Sequence, residues 1–201
     1  MPSTLTKDEL DAAGVGAFFR PRDVESLGIS FKRLQRLVSD GTVEKLGPGL
    51  YRLAEVEPTE LETVAMVASA VPNAIVCLLS ALRIHEIGTQ SPHQVWIALD
   101  RKSRKPARVP AKLRIVRFSG AMLTYGVVKQ TMLGVPVSIT SPARTVVDCF
   151  RYRNKIGLDV AMEALRDAVR SRKATIQEID RVAEVCRAST VIAPYLSALS
   201  V

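Results

Sequence analysis

Cysteine is scarce and scattered in this chain. Cys77, Cys149 and Cys186 lie far apart inside apolar patterns and form no C-x-x-C pair. Such usage excludes a disulfide framework and reads as buried, reduced thiols in a cytoplasmic protein. Histidine is rarer still: His85 and His93 share no helix face and have no carboxylate at ligand spacing. No metal is therefore expected. No nucleophile–base pair and no phosphate-cradling glycine loop is visible, so neither an enzyme nor a cofactor is expected. No apolar run approaches the ~20 residues that span a bilayer, which argues against a membrane partner. The opening MPSTLTKDELDAAG is acidic and lacks a signal-peptide apolar core, so export is not expected. Proline and glycine are modest at 11 each, and 47% of the residues are hydrophobic, which excludes a disordered chain. A length of 201 residues suits one or two domains with real cores.

Acid is in shorter supply than base, and the net charge of +8 favours polyanionic partners. Its distribution is uneven. Residues 1–53 hold eight Lys and Arg against seven Asp and Glu, a net +1, whereas 54–201 hold twenty against thirteen, a net +7.

The most informative stretch is RPRDVESLGISFKRLQRLVSDGTVEKLGPGLYRL, Arg20 to Leu53. Pro21 suits the first position of a helix to Leu27, and Gly28-Ile29 makes a turn. Ser30 can cap a second helix from Phe31 to about Asp40, with Gly41 just past its end. Phe31, Leu34, Leu37 and Val38 share one face of that helix. Lys32, Arg33, Gln35, Arg36 and Ser39 lie opposite, with the chemistry to hydrogen-bond base edges and phosphates in a major groove. Thr42 to Leu46 and Leu50 to Leu53 then pair as a hairpin around Gly47-Pro48-Gly49, carrying Lys45 and Arg52. A plain helix pair with a solvated outer face is the bland alternative. Turn, cap and wing in this order favour a winged helix-turn-helix that binds DNA. Upstream, Thr6 to Ala17 reads as a supporting helix, and Phe18 and Phe19 as core or a short lead-in strand.

A polar connector, Ala54 to Pro58, sets the domain boundary. The expected fold is α+β: a winged helix-turn-helix over 1–54, then a domain over 58–201 with a small mixed or antiparallel sheet and several packed helices. Its elements are a helix over Thr59–Val71, an apolar Ala74–Leu79 leading into a helix to Glu86, and a buried strand Val95–Leu99. Next come a strand Leu113–Phe118, with Leu113, Ile115 and Phe118 set against Arg114 and Arg117, and a hairpin Val127–Met132 and Val135–Ile139 turning at Gly134. Four helices follow: one from Ser141-Pro142 to Tyr152, an amphipathic Gly157–Arg170, one from a Thr175/Glu178 capping box to Arg187, and Ile192–Leu199.

Three charged groups remain. From Arg101 to Arg117 stand eight bases and no acid: Arg101, Lys102, Arg104, Lys105, Arg108, Lys112, Arg114 and Arg117. Pro106 and Pro110 keep this loop irregular, and it suits auxiliary phosphate contacts, a solvated surface or an acidic protein partner. Asp100 and Lys102, at the end of the VWIAL strand, are similar to the metal-and-lysine half of a restriction-endonuclease-like site. They set up an alternative, a Mg²⁺-dependent nuclease, but no second acid stands on a neighbouring strand. Finally, Asp148, Asp159, Glu163 and Asp167 with Arg144, Arg151, Arg166 and Arg170 have the spacing of helix-surface ion pairs, worth a few tenths of a kcal/mol each.

SPARTVVDCFRYRNKIGLDVAMEALRDA (Ser141 to Ala168), IVCLLSALRIHEIGTQSPHQVWIAL (Ile75 to Leu99) and GISFKRLQRLVSDGTVEKLGPGLYRL occur in the order of the AbiEi antitoxins, and the chain resembles that family of type IV toxin–antitoxin systems. The resemblance implies a winged helix that binds inverted repeats in its own promoter, as operator DNA for two copies of the chain, and represses transcription. It further implies a C-terminal domain that counters a nucleotidyltransferase toxin, without a stable complex, in abortive phage infection. Ser30, Lys32, Arg33, Gln35, Arg36, Lys45 and Arg52 would meet the operator, and Arg101, Lys102, Arg104, Lys105 and Arg108 the flanking phosphates. The wing tip departs from the family: relatives often carry an Arg there, and Pro48 cannot supply its charge. A repressor without a toxin partner and a pure protein-interaction module are the remaining alternatives.

Overall fold

A computed structural model of the chain describes residues 6–47, 49–55, 61–109 and 111–199. Pro48, Pro110 and the stretch 56–60, which holds most of the expected connector and the start of the Thr59 helix, lie outside the described residues. The chain divides into two compact units: 1–73 with 105–111 and 130–137, and 74–104 with 112–129 and 138–201.

In the first unit, α1 (Lys7–Ala12) opens with a capping box between Thr6 and Glu9. It is shorter than the periodicity predicts, because Gly14 takes φ +69° and turns the chain into β1 (Phe18–Phe19). α2 (Pro21–Val24) starts at its proline and tightens into a 3₁₀ turn, Glu25–Leu27. Gly28, left-handed at φ +68°, reverses the chain into α3 (Phe31–Ser39). Ser30 caps α3, its Oγ accepting from Arg33 N at 3.3 Å. β2 (Val43–Gly47) and β3 (Leu50–Leu53) form the hairpin, and the sheet order is β1-β3-β2, antiparallel throughout. Leu10, Phe19, Val24, Ile29, Leu34, Leu37, Val43, Tyr51 and Leu53 make the core. α4 (Glu62–Ala70) also belongs to this unit.

The second unit holds a mixed sheet ordered β6-β5-β4-β8-β7. Its strands are β4 (Ile75–Val76), β5 (Val95–Asp100), β6 (Leu113–Phe118), β7 (Val127–Met132) and β8 (Val135–Thr140). β5 runs parallel to β6 and antiparallel to β4, and β4 runs parallel to β8. Around it lie α5 (Leu78–Ile84), α6 (Pro142–Arg151), α7 (Arg153–Ile156), α8 (Leu158–Arg170), α9 (Ile176–Val185) and α10 (Ser189–Leu199). Strand alternation corrects the expected face of β6: Val116 and Phe118 are buried on the side that also carries the exposed Arg114, while Leu113 and Ile115 are half-buried on the other. Arg114 lies over its cross-strand neighbour Trp96, 5.6 Å from the ring centroid.

α6 is buried along nearly its whole length, from Ala143 to Phe150. The Arg144–Asp148 pair, expected on a helix surface, is therefore internal: both side chains are 0% exposed, with Nε 3.0 Å from Oδ1. The expected Glu163 and Asp167 surface pairs are replaced too. Glu163 accepts from the Thr89 backbone and hydroxyl, and Asp167 from Gly88 N, so these acids fasten the 88–90 turn to α8. Only Asp167–Arg170 follows the helix-surface pattern, at 2.7 Å. Among the described residues, no helix is long and apolar enough to cross a membrane.

Candidate nucleic-acid interface

α3 buries Leu34 and Leu37 and keeps Val38 half-buried, which fixes the rotation of its outer face. Lys32 and Arg36 are exposed, and Arg33 and Gln35 half-buried. Phe31, expected on the inner face, is 62% exposed instead, because the first turn of α3 projects past the core. Lys45 sits opposite Tyr51 in the β2–β3 register, so both project from one face of the hairpin. That is the α3 face, since Gln35 Nε2 reaches the Tyr51 hydroxyl at 3.5 Å. Lys32, Arg33, Gln35, Arg36 and Lys45 thus share one side of the unit. Among the described residues none of the four cations has an ion-pair partner.

Arg52 lies on the opposite face, paired in register with Glu44. Its guanidinium meets Glu62 and, at 2.5 Å, Glu44, and only 13% of the side chain is exposed. Burial works against its charge, but hydrogen bonds and attraction from the two glutamates hold its pKa above the ordinary value. A guanidinium committed to two carboxylates has little left for a phosphate. Arg52, expected on the DNA-facing set, is instead an internal clamp between β3 and α4.

The basic loop divides between the two units. Arg101, Lys102, Arg104, Lys112, Arg114 and Arg117 belong to the second unit, and Lys105 and Arg108 to the first. All eight are exposed. Asp100 Oδ1 accepts from Lys102 N at 2.7 Å, which turns the carboxylate back onto its own loop. Arg117 Nη1 closes that loop by donating to Asp100 O at 2.9 Å and Ser103 O at 2.7 Å. Asp100 is thus a turn former. Among the described residues no group of three or more His, Cys, Asp and Glu could hold a metal ion.

Arg20, Arg22 and Arg108, from distant parts of the chain, come together. They line one cavity of about 530 Å³ in the first unit, beside Gly47 and Gly49 of the hairpin. Only the R-P-R spacing hinted at it, since an N1 proline leaves its flanking arginines at a helix end.

Residues 8–54, which carry the capped helix, the turn, α3 and the hairpin, match the family model described as transcriptional regulator, AbiEi antitoxin. Over this stretch the chain is similar to the AbiEi antitoxin family. No curated protein matches the chain. The AbiEi match ends at Ala54, so α4 and the whole second unit lie outside it. That description as a transcriptional regulator agrees with the outward cations of α3.

Proposed function

We infer that the protein is a sequence-specific DNA-binding antitoxin whose AbiEi module is a winged helix-turn-helix. It represses its own operon by binding inverted repeats in the promoter, and it counters a nucleotidyltransferase toxin. The observation that carries the DNA reading is the shared face of Lys32, Arg33, Gln35, Arg36 and Lys45, without carboxylate partners among the described residues and backed by a buried core. Arginine can meet guanine O6 and N7 in two parallel bonds, and Gln35 can pair with adenine N6 and N7. The capped start of α3 delivers these side chains from successive turns of one helix.

Charge explains why the face matters more than the bulk. By sequence, the first unit carries ten Lys and Arg against eleven Asp and Glu, a net −1, and the second eighteen against nine, a net +9. A nearly neutral module cannot hold DNA by its overall field, so local placement must serve. Two copies on paired half-sites would double the contact.

The test is gel retardation of the promoter fragment upstream of the gene, against a random duplex of equal length. Arg33→Ala and Arg36→Ala are each expected to weaken promoter binding by about 1–3 kcal/mol and to leave random binding nearly unchanged. Equal losses on both duplexes would remove base readout from α3. The loop is checked separately by reversing charge at Lys102, Arg104 and Lys105. The slope of log K against log salt should flatten, and an unchanged slope clears Lys102, Arg104 and Lys105 of phosphate contact. The antitoxin reading is tested by co-expression with the neighbouring gene product, whose growth arrest the full chain should relieve.

A further inference from the structure

The cavity beside the hairpin joins cations from two distant parts of the chain. Arg20 and Arg22 flank the proline that starts α2, and Arg108 comes from the 105–111 segment that packs within the first unit. Gly47 and Gly49 form the hairpin wall, where the absence of side chains leaves room for a ligand. At about 530 Å³ the space is of small-molecule size.

The three arginines are unequal. Arg20 Nη2 donates to the Ser69 carbonyl, which fixes this side chain as a rigid wall. Arg22 is 71% exposed, and its weak contact with Asp23, at 3.6 Å, leaves most of its fork unused. Arg108 is exposed and has no ion pair among the described residues. Among the described lining residues Glu25 is the single acid, beside three arginines. Planar guanidinium forks converging from different segments match the tetrahedral oxygens of a phosphate ester, which can take two parallel bonds from each.

We propose that Arg20, Arg22 and Arg108 form a phosphate-ester site beside the turn end of the hairpin. The phosphate can come from the DNA backbone or from a free phosphate compound. The DNA source rests on the reading of the module as a DNA binder; the free source does not. With a backbone phosphate, the site supplies beside the hairpin the charge that its Gly-Pro-Gly tip lacks, and it does so from a residue more than fifty positions away.

The experiment uses the full-length chain and the double variant Arg22→Gln/Arg108→Gln, which leaves the Arg20–Ser69 bond intact. Inorganic pyrophosphate is titrated while the arginine Nε–Hε resonances are followed by NMR, with potassium sulfate as the matched control. Saturable pyrophosphate shifts at Arg20, Arg22 and Arg108, with the Arg20 shift lost in the variant and all of them weaker with sulfate, support the site. In parallel, the salt dependence of promoter and random-duplex binding is measured for both proteins. A slope smaller in the variant by about one per lost phosphate contact, equally on both duplexes, assigns the phosphate to the DNA backbone. Saturable shifts with an unchanged slope assign it to a free phosphate compound. No saturable shift together with an unchanged slope overturns the site. Failure of the DNA reading looks different: the unaltered chain would then retard neither duplex, whatever pyrophosphate does.

Discussion

Replacing Arg144 by alanine should destabilise the second unit by about 3–5 kcal/mol, because it leaves a buried carboxylate without its counter-charge. That is a large part of the ~5–15 kcal/mol that holds a typical domain folded. Arg144 does more than pair with Asp148. Nη1 donates to Tyr125 O at 2.5 Å and Nη2 to Met122 O at 3.1 Å, so one guanidinium satisfies two carbonyls of the turn before β7. Its plane also lies over Phe118, 4.9 Å from the ring centroid. Removing it orphans two buried acceptors as well as a charge, and each orphan adds its own desolvation cost. Arg144→Lys should recover only part of the loss, since an ammonium cannot span the carboxylate and both carbonyls. The double variant Arg144→Met/Asp148→Leu should be less damaging than the sum of its single changes. The readout is denaturation followed through Trp96, the single tryptophan, which lies in the same core. Single variants costing under ~1 kcal/mol, or strict additivity in the double, would defeat this account.

The same pair sets a pH signature. Burial raises the Asp148 carboxyl from 3.8 to about 6, with Arg144 pulling it back down. A carboxyl raised by folding holds its proton to higher pH than in the unfolded chain. Its contribution to stability is therefore greatest below 3.8, falls as pH rises to about 6, and is flat above. Asp40, Asp167 and Glu178 are held below their ordinary values, chiefly by hydrogen bonds from Thr42, Gly88 and Thr175, and act in the opposite sense. The difference between the parent chain and Asp148→Asn isolates the one group: relative to the parent, the variant should lose the component that declines between about pH 4 and 6.

How much of this could be read beforehand follows from which signals are local. Caps and turns are local, and Ser30, Pro21, Gly28, Thr175 with Glu178, and Ser141-Pro142 all mark helix starts or turns where the chain has them. The strands from Val95 to Thr140 were legible from the apolar run Val95–Leu99, the alternation of Leu113–Phe118 and the turn at Gly134. Burial of charge is not local. The i,i+4 spacing of Arg144 and Asp148 is the same on a surface and in a core, and only the packing around α6 decides between them. Arg52 shows the same limit: alternation placed it on the hairpin, but which face meets Glu62 depends on α4. Arg108 shows it most strongly, since nothing in Pro106 to Pro110 tells that this segment packs within the first unit.

Gly134→Ala should cost about 2–5 kcal/mol, for two reasons that a control can separate. Gly134 has φ +75°, where an L side chain costs about 1–2 kcal/mol. An added Cβ would also stand 2.3 Å from Gly16 Cα, a backbone atom that cannot swing away. Overpacking of that kind adds about 1–3 kcal/mol. The two glycines allow the turn of the β7–β8 hairpin to touch the strand lead-in of the AbiEi module, where Ala17 N donates to Leu133 O at 3.1 Å. Ala17 O in turn accepts from Leu53 N at 3.3 Å, so the contact leads directly into β3. Gly49 is the matched control: its φ is +67°, yet a Cβ there meets nothing within 4 Å. Gly49→Ala should therefore show the backbone strain alone, and Gly134→Ala the strain plus the close approach. Hydrogen exchange at the Ala17 and Leu53 amides is the site-specific readout, with protection falling in Gly134→Ala and holding in Gly49→Ala. Equal costs for the two variants would mean that the Gly16–Gly134 approach adds nothing. A larger cost at Gly134, with unprotected Ala17 and Leu53, makes residues 130–137 a structural part of the first unit, although they fall outside the AbiEi match at 8–54.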